Sequence, residues 1–254
     1  MIKEVTKNDS AVRLYNWDNM PQDIELYKII PYKYLVQWIY NNSMCFKPVY
    51  KWDDDVYELF LFKQNYTHDG EPIDLEDVKK NFYGQSWSSL KDSNALWHMY
   101  SPDKLSVKVK TTLKKIRNAI ENSNPISQGI GTFIGKVNYF ETEQITDILL
   151  KNYAQNIFDE KNILDSLFVK RMDFKSEEEI RIILWKESNP RKIKSDPLIY
   201  LNVAPKDFIT EVTFDPRLDD EILASLKSTL QILMPKVKIQ KSKLNTIDPI
   251  DIKI

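Results

Sequence analysis

Along this chain, stretches with period-two alternation and stretches with helical spacing follow one another without the regular strand–helix rhythm of a parallel sheet. That irregular order narrows the fold more than any other feature. "LSVKVKT" (105–111) alternates apolar and polar residues and reads as a strand, while "TTLKKIRNAIEN" (111–122) carries helical spacing directly after it. Strand character recurs in "ELYKII" (25–30), "SMCFKPVY" (43–50), "QSWSS" (85–89), "EEEIRIILW" (177–185), "DPLIYLNV" (196–203), "ITEVTFD" (209–215) and "KVKIQKS" (236–242). Helices are expected at 31–42 with Pro31 at the start, at 73–84 with Asp74 or a neighbour as cap, and at 92–102, ended by Pro102. Further helices are expected over 141–170 and at 219–235, and glycines 129, 131 and 135 suggest a hairpin or bent strand around "TFIGKVNYF". The class this order favours is α+β, with a split mixed or antiparallel sheet flanked by helices. We expect residues 1–24 to form an N-terminal arm and 25–254 a single domain.

Composition removes several function classes. The 254 residues, 42% hydrophobic and 12% aromatic, are enough for a real core. With only five glycines and no GxGxxG or GxxxxGK[ST], a phosphate-cradling loop has little to be built from. Cys45 is the one cysteine, and His68 and His98 stand thirty residues apart, so no thiolate-rich or HExxH-type metal site is expected. The net charge of −1 gives no global attraction to nucleic acid or acidic membranes. The basic stretches "KVKTTLKKIR" (108–117), "RKIK" (191–194) and "KVKIQKSK" (236–243) are balanced elsewhere by acids and read as solvated faces. Without an apolar leader or a membrane-length segment, the expectation is a cytoplasmic, metal-free protein that does not enter a membrane.

The charged entrance of "EEEIRIILW" is the most specific chemical feature. In a strand, Glu177, Glu179 and Arg181 share one face and Glu178, Ile180, Ile182 and Leu184 the other. Two carboxylates on one face lie about 6.5–7 Å apart along the strand, a spacing at which one can hold a sugar and the other an attacking group. A solvated strand entrance is the alternative reading. "WDDDVYE" (52–58) groups hard oxygen donors, Asp53, Asp54 and Asp55, although turns and helix capping explain such a run equally well. "LWHMY" (96–100) places Trp97 and Tyr100 three apart, as core residues or as an aromatic wall.

Taken in order, these segments resemble an uncharacterised bacterial and phage family, a domain of unknown function. The residues that carry the resemblance are "LYKII" (26–30), "SMCFKPV" (43–49), "DVYE" (55–58), "SWSSLKDSNALWHMYS" (86–101), "VKVKTTLKKI" (107–116), "EEEIRI" (177–182) and "ITEVTFDPRLDDE" (209–221). Val56 stands where that family usually has proline, Ser86 where it often has cysteine, and Leu96 where it often has methionine. Asp55 and Glu58 fall on its motif. The layout is more distantly similar to the ADP-ribosyltransferase fold, which holds NAD in the cleft of a split sheet. That resemblance implies Glu179 as principal catalytic carboxylate and Glu177 as the group that positions or deprotonates the acceptor. It also implies Lys28, Ser86, Trp97, Tyr100 and Arg181 as cofactor contacts, NAD as cofactor with no metal, and a nucleic acid or protein acceptor. A toxin or phage-defence effector fits this expectation. A non-enzymatic partner or sensor of a phage component, and a metal-dependent nuclease built on Asp53, Asp54, Asp55 and Glu58, are the competing readings. Oligomeric state is not legible.

Overall fold

The computed structural model describes residues 12–15, 21–52, 55–148, 151, 159–186 and 198–246. In chain order the first strands are β1 Val12–Tyr15, β2 Glu25–Pro31, β3 Met44–Pro48, β4 Tyr66–His68, β5 Glu71–Ile73, β6 Phe82–Ser88 and β7 Ser106–Thr112. They are followed by β8 Ile130–Lys136, β9 Asn138–Phe140, β10 Val169–Arg171, β11 Glu179–Lys186, β12 Ile199–Leu201, β13 Glu211–Phe214 and β14 Lys238–Lys241. Helices separate them irregularly, so the α+β class holds. The chain divides into two compact units, each assembled from three separate segments.

The first unit comprises Met1–Met20, Cys45–Ser88 and Ile120–Asn202. Its sheet runs β1-β8-β11-β6, with β3 against β6 and β12 against β3. β1 lies parallel to β8, and β11 is antiparallel to both β8 and β6. Flanked on both sides, β11 is buried throughout Ile180–Leu184, which is why its sequence is a near-continuous apolar run. One face packs Ile183, Phe82 and Phe133 against Val49, Leu61 and Phe168. Gly84 and Gly135 let neighbours approach this sheet: a Cβ on Gly84 would fall into the Trp52 ring, and one on Gly135 would stand 2.8 Å from Phe168.

The second unit comprises Pro21–Met44, Ser89–Ala119 and Val203–Ile254. Here β2 and β13 flank β7 antiparallel, and β14 continues parallel to β13. The Tyr32–Asn41 helix buries Leu35 and Trp38; the Trp38 ring meets Phe208 at 5.4 Å and its indole N–H donates to the Val203 carbonyl at 2.9 Å. The Asp220–Leu233 helix begins where Asp219 accepts from the Glu221 and Ile222 amides, a side-chain N-cap. Each unit therefore holds a mixed sheet.

Several local expectations are corrected. Residues 129–140 form no hairpin: β8 pairs with β1 and β11, while β9 pairs in parallel with β10. The helix expected over 73–84 is confined to Glu76–Lys79, where the Glu76 amide donates to Asp74, because Phe82 already belongs to β6. Among the described residues of 141–170 stand the α-helices Thr142–Ile148 and Glu160–Ser166, but the region ends in strand β10. Glu177 is not on the strand. It closes a 3-10 turn, Met172–Glu177, and Glu178 follows at φ 43°, so the left-handed residue breaks the alternation before β11 begins at Glu179. Within the expected arm, Val12–Tyr15 is strand β1; Asp53, Asp54 and 191–194 lie outside the described residues.

Candidate functional site

β11 and β10 bring charge into the first unit. Glu179 and Arg181 are two apart on β11 and share a face, while Lys170 is the inward residue of the short β10. With Glu58 and Glu177 they form a cluster in which every residue is at most 6% exposed. Charges buried this deeply must be paired. Arg181 donates from Nε to Glu179 Oε1 at 2.9 Å and from Nη2 to Glu179 Oε2 at 3.1 Å, a bidentate clamp. Its Nη1 donates to the Leu167 carbonyl at 2.7 Å, and Nη2 also donates to Glu58 Oε1. The Trp52 ring lies 4.7 Å from the guanidinium carbon, seated in the space that Gly84 leaves open.

Lys170 Nζ stands 2.8 Å from Glu177 Oε2, 3.5 Å from Glu179 Oε2 and 3.9 Å from Glu58 Oε1. Ser88 on β6 donates to the Glu177 carbonyl at 2.6 Å and fixes the turn. The Glu179 amide donates to the Tyr139 hydroxyl at 2.8 Å, and the half-buried Ser86, opposite Arg181 in the β6 register, hydrogen-bonds the Glu179 side chain. Beside the cluster, Arg171 Nε donates to Asp55 Oδ1 at 2.8 Å, and the same oxygen accepts from the Tyr57 amide at 3.0 Å.

These contacts divide the carboxyls. Burial acts to raise the Glu179 carboxyl, but the Arg181 charge and hydrogen bonds, with help from Lys170 and Ser86, outweigh it and bring it down to about 2. For Glu58 burial prevails over Arg181 and Lys170, and its carboxyl is pushed up. Lys170 is raised: burial opposes its charge, but Glu179, Glu177 and Glu58 more than compensate. Glu179 is therefore an ionised carboxylate at neutral pH, held in a fixed orientation. Such a group can stabilise a developing positive charge, and it can equally serve as half of an internal ion pair.

The structure thus brings Glu58, Glu177, Glu179, Arg181 and Ser86 together, with Asp55 alongside. Lys28, Trp97 and Tyr100 belong to the second unit. Lys28 is half-buried on β2, opposite Val109. Trp97 is buried and donates its indole N–H to Asp92 at 2.8 Å, with the Lys108 ammonium 5.7 Å from its ring; Tyr100 is 39% exposed. Lys170, Arg171, Trp52 and Tyr139 escaped the sequence reading. The one signal for Lys170 and Arg171 is their adjacency inside the apolar run "LFVKRMDF" (167–174); Trp52 and Tyr139 gave none. Among the described residues no group of three or more His, Cys, Asp and Glu could hold a metal ion, and no helix is long and apolar enough to cross a membrane.

Residues 96–182 match the protein-family model described as "Protein of unknown function (DUF2971)". The matched segment runs from "LWHMY" to the strand bearing Glu179 and Arg181, so the resemblance to an uncharacterised family holds there. A search of the curated proteins returned no match. Among solved structures, DarT from Thermus sp. 2.9 in complex with NAD+ is similar at 7% identity, covering 89% of this chain and 98% of that one with a TM-score of 0.39. The same protein in complex with ADP-ribosylated ssDNA is similar at 8% identity, covering 89% and 97%, again with a TM-score of 0.39.

Proposed function

We propose that this chain is an ADP-ribosyltransferase-like protein that takes NAD as substrate, with Glu179 as its principal catalytic carboxylate. The observation that carries this reading is the state of Glu179: ionised, clamped by Arg181, and bonded to the half-buried Ser86 hydroxyl. When the nicotinamide–ribose bond breaks, its electron pair leaves with nicotinamide and positive charge develops on the sugar. A carboxylate that cannot protonate at neutral pH stabilises that charge throughout the reaction. Glu177 is the group assigned to the acceptor. The acceptor is a nucleic acid or a protein, and the biological role is that of a cytoplasmic toxin or phage-defence effector.

The test mixes purified protein with labelled NAD and cell extract and follows label transfer and nicotinamide release. Wild type should show both. Glu179→Gln should lose about 10²–10³-fold, the scale of removing one transition-state-stabilising group. Ser86→Ala, a smaller change at a half-buried position, should fold normally and lose less. A wild-type protein that neither transfers label nor releases nicotinamide sinks the proposal.

One observation favours a second reading. Both Glu179 oxygens are already taken by Arg181 and Lys170 inside a buried cluster, as in a structural ion pair. A non-enzymatic binding protein, an antitoxin-like partner or a sensor of a phage component would need nothing more of Glu179. A partner captured equally well by wild type and by folded Glu179→Gln, without NAD consumption, would favour it.

A further inference from the structure

The buried cluster holds two cations, Lys170 and Arg181, against three carboxyls, Glu58, Glu177 and Glu179. The three carboxyls are not equally supplied. Glu179 engages the guanidinium through both oxygens, and Glu177 has the ammonium at 2.8 Å. Glu58 meets Arg181 through Oε1 and has Lys170 no closer than 3.9 Å, while its Oε2 is buried without a hydrogen-bond partner. Burying an ionised carboxylate with one oxygen unbonded costs far more than burying a neutral acid whose hydroxyl lacks an acceptor.

Arg181 Nη2 binds Glu58 Oε1 and Glu179 Oε2 together, so the two carboxyls flank one nitrogen. One proton shared into such a pair relieves the repulsion between them. We propose that Glu58 rests as the neutral carboxylic acid, with its proton on Oε2, so that the five-group cluster closes at zero net charge around an ionised Glu179.

The surroundings act in the same direction. The charged groups around Glu58 are Arg181 and Glu179 on β11 and Lys170 on β10. Burial and Glu179 push the Glu58 proton on, and the two cations push it off without prevailing. The neighbouring Asp55–Arg171 pair is neutral in itself. The consequence is chemical. With Glu58 ionised the cluster would bury three negative charges against two positive ones. A neutral Glu58 removes that excess and adds an O–H donor inside the cluster. This goes beyond the NAD reading and holds whether or not the chain consumes NAD.

The test is carbon-13 NMR of the glutamate carboxyls in the full chain, titrated with pH, for wild type, Glu58→Gln and Glu177→Gln. At neutral pH wild type should show one protonated glutamate carboxyl, absent in Glu58→Gln and retained in Glu177→Gln. Glutamine is isosteric with the neutral acid, so Glu58→Gln should also unfold in urea close to wild type at neutral pH. No protonated carboxyl at neutral pH, a signal removed by Glu177→Gln instead, or a Glu58→Gln chain that cannot fold would each overturn the assignment.

Discussion

At the residue scale, Arg181 is the position on which the cluster most depends. It makes two bonds to Glu179, one to Glu58 and one to the Leu167 carbonyl, all away from water. Arg181→Met removes the partner and leaves two carboxyls facing each other, so unfolding free energy should drop by about 3–5 kcal/mol, the usual cost of breaking a buried pair from one side. Arg181→Lys should rescue little, because an ammonium cannot reproduce a planar bidentate clamp and a carbonyl bond at once. Urea unfolding of the three proteins checks this, and a lysine variant as stable as wild type would contradict it. Glu178 carries a different constraint. It is exposed and sits at φ 43°, where a side chain costs about 1–2 kcal/mol relative to the right-handed region. Glu178→Val should therefore unfold at lower urea than Glu178→Gly, since branching at Cβ aggravates the strain that glycine relieves.

At the scale of elements, β6 owes its place beside β11 to a missing side chain. A Cβ on Gly84 would enter the Trp52 ring and stand 3.1 Å from Ile183 Cδ1. Gly84→Ala should drive the indole off the Arg181 guanidinium at a cost of about 1–3 kcal/mol, the range for overpacking a filled site. Tryptophan fluorescence and urea unfolding read the two effects, and an unchanged emission spectrum together with an unchanged midpoint would refute the close approach. Elements were legible where their cause is local. "LSVKVKT" became β7 and the 219–235 pattern became Asp220–Leu233, because period and cap are written in neighbouring residues. The site was legible in part for the same reason. Glu179 and Arg181 share a face because two residues of one strand must. Lys170 was not legible, since its inward aim depends on β10 pairing with β9, where Lys170 stands opposite Tyr139. Nor was the position of Glu177: a left-handed residue that is neither glycine nor asparagine gives no signal in the sequence. Glu177 nonetheless reaches the cluster, through Lys170 rather than through strand alternation.

At the scale of the whole molecule, the near-zero net charge conceals acids and bases that are paired locally. In the second unit Lys110 meets Glu25, Lys238 meets Glu211 at 3.0 Å, and Lys241 meets Asp220 at 2.8 Å, so part of the basic 108–117 and 236–243 stretches is neutralised in place. Such pairing makes folding depend on pH through carboxyls that hold protons more weakly when folded than when unfolded. Glu179 is the deepest of these, down from 4.5 to about 2; Asp92, Glu211 and Asp215 are lowered too, where hydrogen bonds and nearby cations outweigh burial. For a lowered carboxyl the unfolded chain binds more protons, so its stabilisation is complete above the unfolded value and is lost as pH falls toward the folded one. Glu179 alone contributes on the order of 3 kcal/mol to this acid limb. Glu58 has the opposite sign. Its raised carboxyl stabilises the fold below the unfolded value of 4.5 and loses that contribution as pH rises through the folded one. Urea midpoints measured from acid to mildly alkaline pH should therefore fall steeply for wild type between 4.5 and 2, and less steeply for Glu179→Gln. Glu58→Gln should keep the acid limb and remove the decline that sets in as pH rises above 4.5. Parallel profiles for all three proteins would mean that the two carboxyls titrate alike in the folded and unfolded chain, and the division of charge between them would have to be abandoned.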